Sequence, residues 1–295
     1  MSALATAALS MAGIALIVLA LRDIFETLLH PEGRGPVARW VMRTIWTVCR
    51  VLRRRSVLQH AGPLGLLLVV GVWAALLVLG WALLLWPQLE TGFRVEEEGH
   101  IGFWDALHVS LTTLTTLGFT DVTPEKDWLR VVTPLEALLG FGLLSASISY
   151  LLLIYPALAR RRSLAYEVFL LGEAVQKTDL SPEQLGPGAA ERQYADLASR
   201  VVAVERDLVN LPVTYYFADQ DERFSLAAVA PYMLELARHG SRVEDPQVRL
   251  RAQVLADALD DLAQTTAKLF PQTRGDSSDA IFTAYARDHV IGGPP

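Results

Sequence analysis

The stretch Thr115-Thr116-Leu117-Gly118-Phe119-Thr120-Asp121 constrains this chain more than any other. It is short and polar, and it lies between two long apolar segments, 63–86 and about 131–158. Irregular backbone does not survive against lipid, where each unpaired N–H or C=O costs several kcal/mol. At membrane depth such a stretch is either buried in protein or lines water.

The chain holds 295 residues, 52% of them apolar and 20% charged, with a net charge of −6. The apolar residues crowd the first half and the charged ones the second, which reads as a membrane part followed by a soluble domain. The acidic balance argues against nucleic acid as a partner. Cys49 is the single cysteine, so neither an intrachain disulfide nor a cysteine-based metal site can form. It reads as an apolar residue on a helix face.

Three membrane spans emerge. The first covers 3–29, uncharged to Leu21, with Arg22 and Glu26 one helical turn apart at its inner end. Length fits the ~20 residues needed to cross the hydrocarbon core, and with no basic leader before it the segment reads as a retained helix, not a signal peptide. The second covers 63–86, with Trp81 and Trp86 toward one interface. The third covers about 131–158, with Glu136 its one charged residue. Arginines crowd the connection 32–56 and recur as Arg160-Arg161-Arg162, whereas the connection 88–102 is acidic. The positive-inside rule therefore places both arginine clusters in the cytoplasm and the acidic loop outside. The N-terminus is expected outside, the C-terminal domain in the cytoplasm, and the protein in the plasma (inner) membrane.

On a helical wheel of 37–52, Arg39, Arg43, Arg50, Arg53 and Arg54 share one narrow face, with Val37, Val41, Ile45, Val48 and Leu52 opposite. Two readings stand: an interfacial helix with arginines toward anionic headgroups and aliphatics in the acyl boundary, or a cytoplasmic helix packed on another part of the protein. A voltage sensor is disfavoured, since gating arginines belong within a transmembrane helix. From Ser163 onward the pattern is helical: 164–177, 191–210, 225–239 (with Ser225 as N-cap) and 246–269, with a break at 182–190 and a loose tail from Pro271. The expected division is an N-terminal span at 1–30, a basic helix at 31–60, a pore module at 61–160 and a helical cytoplasmic domain with a loose tail at 161–295. The fold class is an all-α membrane protein: three transmembrane helices with a re-entrant pore helix and filter, plus an all-helical cytoplasmic domain.

Residues 103–115 suit a re-entrant helix of about three turns, which covers half a membrane at roughly 1.5 Å per residue. Its negative dipole end favours a cation beyond it. Thr116-Leu117-Gly118-Phe119-Thr120 stands where potassium-channel loops carry Thr-Val-Gly-Tyr-Gly, and residues 60–160 resemble the pore module of the tetrameric potassium-channel superfamily. The resemblance implies a homotetramer whose four loops form one K+ filter. Thr116 would offer hydroxyl and carbonyl, and Leu117, Gly118, Phe119 and Thr120 carbonyls. Thr115 and Glu136 would support the filter. Asp121 would sit at the outer mouth, drawing cations or bonding the pore helix; simple turn chemistry with Thr123 and Pro124 is the alternative. Gly140 and Gly142 read as a gating hinge or as small residues that let helices approach. Ser145 and Ser149 line a wet cavity or bond back to carbonyls one turn earlier. The basic helix is similar to the slide helix of simple potassium channels. Asp23 to Pro31 and Leu211-Pro212-Val213-Thr214-Tyr215-Tyr216-Phe217 are similar to segments of a group of bacterial channel-like proteins with an extra N-terminal span.

Thr120 departs from the pattern. The last filter glycine adopts a conformation that costs other residues about 1–3 kcal/mol, and a β-branched residue fits it poorly. The expected function is thus a cation channel, most readily for potassium, gated by the cytoplasmic domain in response to an unknown cytoplasmic ligand. A non-selective cation channel and a non-conducting membrane sensor are the alternatives. The histidines show no metal-ligand spacing, and neither a P-loop nor a nucleophile elbow is present, so an enzyme is not expected. No cofactor is expected beyond K+ in the pore. Asp219-Gln220-Asp221-Glu222 lacks the spacing of a calcium loop.

Overall fold

The computed structural model describes residues 2–28, 35–52, 55–95, 102–118, 122–219 and 221–289. In chain order the helices are α1 (Ala3–Leu28), α2 (Pro36–Val51), α3 (Arg55–Leu58), α4 (Ala61–Leu85), α5 (Leu89–Gly92), α6 (Phe103–Leu114), α7 (Asp127–Thr178), α8 (Pro187–Asn210), α9 (Leu226–Gly240), α10 (Pro246–Leu269) and α11 (Ser278–His289). Two short strands, β1 (Phe93–Val95) and β2 (Val122–Pro124), pair antiparallel with Arg94 opposite Thr123. The architecture is helical apart from that ribbon, and α1, the stretch from α4 through Gly92, and α7 are long and apolar enough to cross a membrane.

The chain divides into two compact units. The first comprises 1–30, 34–41 and 66–152. Its core joins the end of α4 (Ala82, Leu85) to Leu89, Phe93, Val122 and Leu129 and to Ala106 and Val109 of α6. The β ribbon thus closes the loop around the short helix on an apolar nucleus, each fully buried large side chain contributing about 1.5–3 kcal/mol. Within this unit α1 meets α4 at Gly13 and Gly80, where a side chain on either glycine would strike the other helix's backbone. Small residues at a membrane-helix crossing allow this approach.

The second unit comprises 31–33, 42–65 and 153–295. Here α8 and α9 each pack on α10, and α11 covers α9 and α10. Leu255, Leu259 and Leu262 of α10 are buried at helical spacing. Asp245 caps α10 by accepting from the amides of Gln247 (2.8 Å) and Val248 (3.2 Å), with Pro246 as the first helical residue.

Four expectations are corrected. The third span and the helix expected at 164–177 are one helix, because the residues between them, Ala159 to Ser163, contain neither Gly nor Pro. The break at 182–190 is shorter: Gly186 takes φ +100° and Pro187 already starts α8, proline being suited to a first helical position. Ser225 precedes α9, but its side chain makes no capping bond. The tail is not loose through His289, since α11 buries Ile281, Phe282, Tyr285 and Asp288.

Candidate pore site

The short helix α6 starts where the Asp105 carboxylate accepts the Gly102 amide at 2.7 Å, and an acidic side chain in the first turn also suits the helix dipole. Its threonines satisfy themselves locally: the Thr112 hydroxyl donates to the His108 carbonyl (2.8 Å) and the Thr115 hydroxyl to that of Leu111 (2.7 Å). Past Thr115, the Thr116 amide donates to the Thr113 carbonyl (2.9 Å) and the Leu117 amide to that of Thr112 (2.8 Å). This is a Schellman cap, with Thr116 at the left-handed position, φ +58°. That position normally takes glycine, and a non-glycine residue there costs about 1–3 kcal/mol. The strain expected at Thr120 lies outside the described residues; in the described part of this loop Thr116 is the non-glycine residue at a left-handed angle. Gly118 follows at φ +71°, with open space around it, so its backbone angle is what calls for glycine. Leu117 is exposed on the single protomer. Phe119, Thr120 and Asp121 lie outside the described residues.

Behind α6 sits Glu136, fully buried. The Ser110 hydroxyl is in hydrogen-bond contact with its carboxylate and stands 3.0 Å from the Val78 carbonyl of α4. A hydroxyl carries one proton, so it donates to one of the two at a time. The second Glu136 oxygen has no partner among the described residues. Ser110 was not singled out in the sequence; its signal would have been a small polar residue on the apolar side of a re-entrant helix.

Gly140 has a packing reason to be glycine: a Cβ there would collide with the Leu114 carbonyl at the end of α6. Around Gly142 there is open space, and α7 runs unbroken through both glycines. Its interior prolines are Pro134 and Pro156, each of which removes a helical hydrogen bond to the carbonyl four residues earlier. Ser149 donates to the Ser145 carbonyl at 3.0 Å, the back-bonding alternative, and both serines are exposed on the protomer.

The C-terminal end of α1 carries a residue to which the sequence assigns no role of its own, only a place in the segment 23–31. Asp23 is fully buried and accepts three hydrogen bonds: from the amides of Val37 (2.7 Å) and Ala38 (3.0 Å) and from the Trp73 indole (2.7 Å). Val37 and Ala38 are the second and third residues of α2, whose own N-cap position holds Gly35 and has no side chain to offer. Asp23 supplies that missing cap from another helix, and a Cβ on Gly35 would collide with it.

On α2, Arg39, Arg43 and Arg50 are exposed, while Arg53 and Arg54 lie outside the described residues. The face opposite the arginines is not free for lipid along its length. Ala38, Val41, Met42, Trp46 and Cys49 are buried, and the exposed apolar residues are Trp40, Val48, Val51 and Leu52. The wheel alone could not separate packing on protein from packing on lipid, since both select apolar side chains.

A family described as Ion channel matches residues 67–155, which contain α6, the turn Thr116–Gly118, Glu136 and both glycines. The Bacillus subtilis (strain 168) protein named Uncharacterized membrane protein YdjJ is 26% identical over 230 residues, covering 74% of this chain and 66% of that relative. The chain thus spans just under two thirds of that relative's length. No solved structure matches the chain. The chain is a membrane protein, and its residues 67–155 are similar to the ion-channel pore domains of the potassium-channel superfamily.

Proposed function

We propose that the protein is a homotetrameric cation channel of the plasma membrane, conducting potassium through the loop that follows α6. The observation that carries this reading is the pore helix itself. It is short, it is braced from behind by Glu136, and it ends in a tight turn leading directly to Gly118 at positive φ. Four copies of such a loop around one axis present backbone carbonyls to a dehydrated cation, and closed symmetry is the usual solution for such a ring. In this reading Thr116, Leu117, Gly118, Phe119 and Thr120 coordinate ions, Thr115 and Glu136 hold the loop in place, and Asp121 stands at the outer mouth. The N-terminus is outside and the second unit is cytoplasmic, where it gates the pore. Ions move passively down their gradient, so no enzymatic step is involved.

Replacing Gly118 by valine tests the filter assignment. A β-branched residue is a poor occupant of φ +71°, so flux from proteoliposomes should fall to background while the protein still assembles. Unchanged flux in Gly118→Val would contradict the assignment.

Thr120 favours a second reading, a non-selective cation pore, because it stands where the resembled filter has glycine. Equal permeability to sodium and potassium would support it.

A further inference from the structure

The end of α11 enters a cluster that neither conduction nor the pore explains. The Asp288 carboxylate, almost fully buried, accepts from the Trp46 indole (3.0 Å) and the Tyr215 hydroxyl (2.5 Å) and pairs with Arg50 (2.6 Å). Trp46 and Arg50 belong to α2; Tyr215 belongs to the turn 212–216. The next residue, His289, lies among three rings, 4.9 Å from Trp46, 4.6 Å from Tyr215 and 4.5 Å from Tyr285. Its Nε2 is 2.7 Å from the Tyr215 carbonyl oxygen and its Nδ1 is 3.2 Å from that of Tyr285. From its other side the same turn is held by Arg161 of α7, whose guanidinium donates to the Thr214 (2.7 Å) and Phe217 (2.6 Å) carbonyls. Through Asp288 and His289, α11 therefore ties α2 to the turn that α7 grips.

A neutral imidazole has one N–H. The 2.7 Å contact assigns it to Nε2, leaving Nδ1 a bare lone pair facing a carbonyl. Protonation would supply a donor at Nδ1, and it would also add a positive charge to a half-buried space that already holds Arg50 and Arg161. The charged and titratable groups around that space are Asp288 and Tyr285 of the same helix, Tyr215 of the turn, Arg50 of α2, and Arg161 of α7 with its ion-pair partner Asp219. Burial holds the His289 imidazole below the usual histidine range, against the opposing pull of the Tyr215 carbonyl and of Asp288. Burial likewise pushes the Tyr215 phenol up, with Asp288 adding to the effect, so it stays protonated and keeps its bond.

We propose that His289 makes this cluster a proton-sensitive latch: closed while the imidazole is neutral, loosened when cytoplasmic acidification charges it, and acting on pore opening through the turn 212–217 and Arg161. The sign follows from linkage. A histidine that binds its proton more weakly in the folded cluster than in the free chain contributes fully above the free value of about 6.5, and the contribution is lost as pH falls through the lower folded value.

The latch itself is read without any current, by hydrogen exchange of the amides of α11 in the full-length protein in liposomes, at about pH 7.5 and about pH 5.5, corrected for intrinsic exchange. The expected result is protection of α11 that drops roughly tenfold on acidification in the unmodified protein, and no such drop in His289→Gln or His289→Phe. Equal protection at both pH values, or an undiminished drop in both variants, would overturn the latch. The second arm, on the same liposomes, rests on the channel reading above: potassium flux should change about as much as the protection does. Flux that ignores pH while the latch opens would overturn the link to the pore. Absence of any flux at either pH, with the latch opening as expected, counts against the channel reading and leaves the latch standing.

Discussion

Asp23 of α1 accepts the indole N–H of Trp73 of α4 at 2.7 Å while the same carboxylate caps α2. One acidic side chain thereby fastens α1 to α4 and to the start of α2.

Removing that carboxylate orphans three donors. Hydrogen bonds to charged groups contribute about 1.5–3 kcal/mol each, and buried unpartnered groups keep their desolvation cost. Asp23→Ala should destabilise the first unit by roughly 3–5 kcal/mol, and Trp73→Phe, which removes one bond, by about 1–3 kcal/mol. Thermal unfolding in detergent reads both. Equal effects of the two substitutions would show that the cap on α2 contributes nothing.

Gly140 and Gly142 give opposite expectations. Gly140→Ala puts a methyl where the Leu114 carbonyl stands. It should lower flux at least tenfold by displacing the end of α6, about 1.4 kcal/mol or more when expressed as a free energy. Gly142→Ala meets open space and should leave flux within about twofold, since alanine is favoured over glycine in a helix by only about 1 kcal/mol. If Gly142→Ala abolishes flux and Gly140→Ala does not, α7 bends at Gly142 and the packing argument fails.

The contact between Glu136 and Ser110 separates shape from charge. Glu136→Gln keeps a hydrogen-bonding group of the same size and should retain most flux. Glu136→Leu leaves Ser110 with the Val78 carbonyl alone and should cost flux and roughly 1–3 kcal/mol of stability. Comparable flux from the two variants would remove Glu136 from the pore-helix support.

Arg161 was read from the sequence only as a topology signal, one of three arginines after the third span. It is 6% exposed, donates to two backbone carbonyls and pairs with Asp219 at 3.2 Å. Arg161→Met should destabilise the second unit by about 3–5 kcal/mol, because Asp219 and both carbonyls lose a buried cation. Arg162→Met, at a half-exposed position against the same Asp219, should cost about 1 kcal/mol or less. Circular dichroism melts of the two variants decide this, and equal losses would contradict the clamp.

The difference between Arg161 and Arg162 illustrates what the sequence could and could not give. Long periodic elements were legible: α10 begins at Pro246 and ends at Leu269 as its pattern and proline require, and α6 covers nearly all of the segment expected for a pore helix. Features that depend on a partner far along the chain were not. Asp23 reads as a charge at the end of a span until Val37, Ala38 and Trp73 are seen to converge on it. The tail from Pro271 reads as polar, and its three buried apolar residues Ile281, Phe282 and Tyr285 are too few to announce a helix without the face of α9 and α10 that receives them. The β ribbon is three residues on each side, below the length at which alternation is visible. Of the loop after α6, the glycine requirement at Gly118 was legible, and the residue takes φ +71°. The left-handed Thr116 was not, because the Schellman cap that imposes it depends on where α6 ends.

The reversal potential of purified protein in liposomes under opposed potassium and sodium gradients tests the central claim most directly. The account predicts current that reverses near the potassium equilibrium potential and vanishes in Gly118→Val. A reversal near zero would contradict potassium selectivity and favour a non-selective pore. No current under either gradient, from protein whose α11 latch still responds to pH, would contradict conduction altogether.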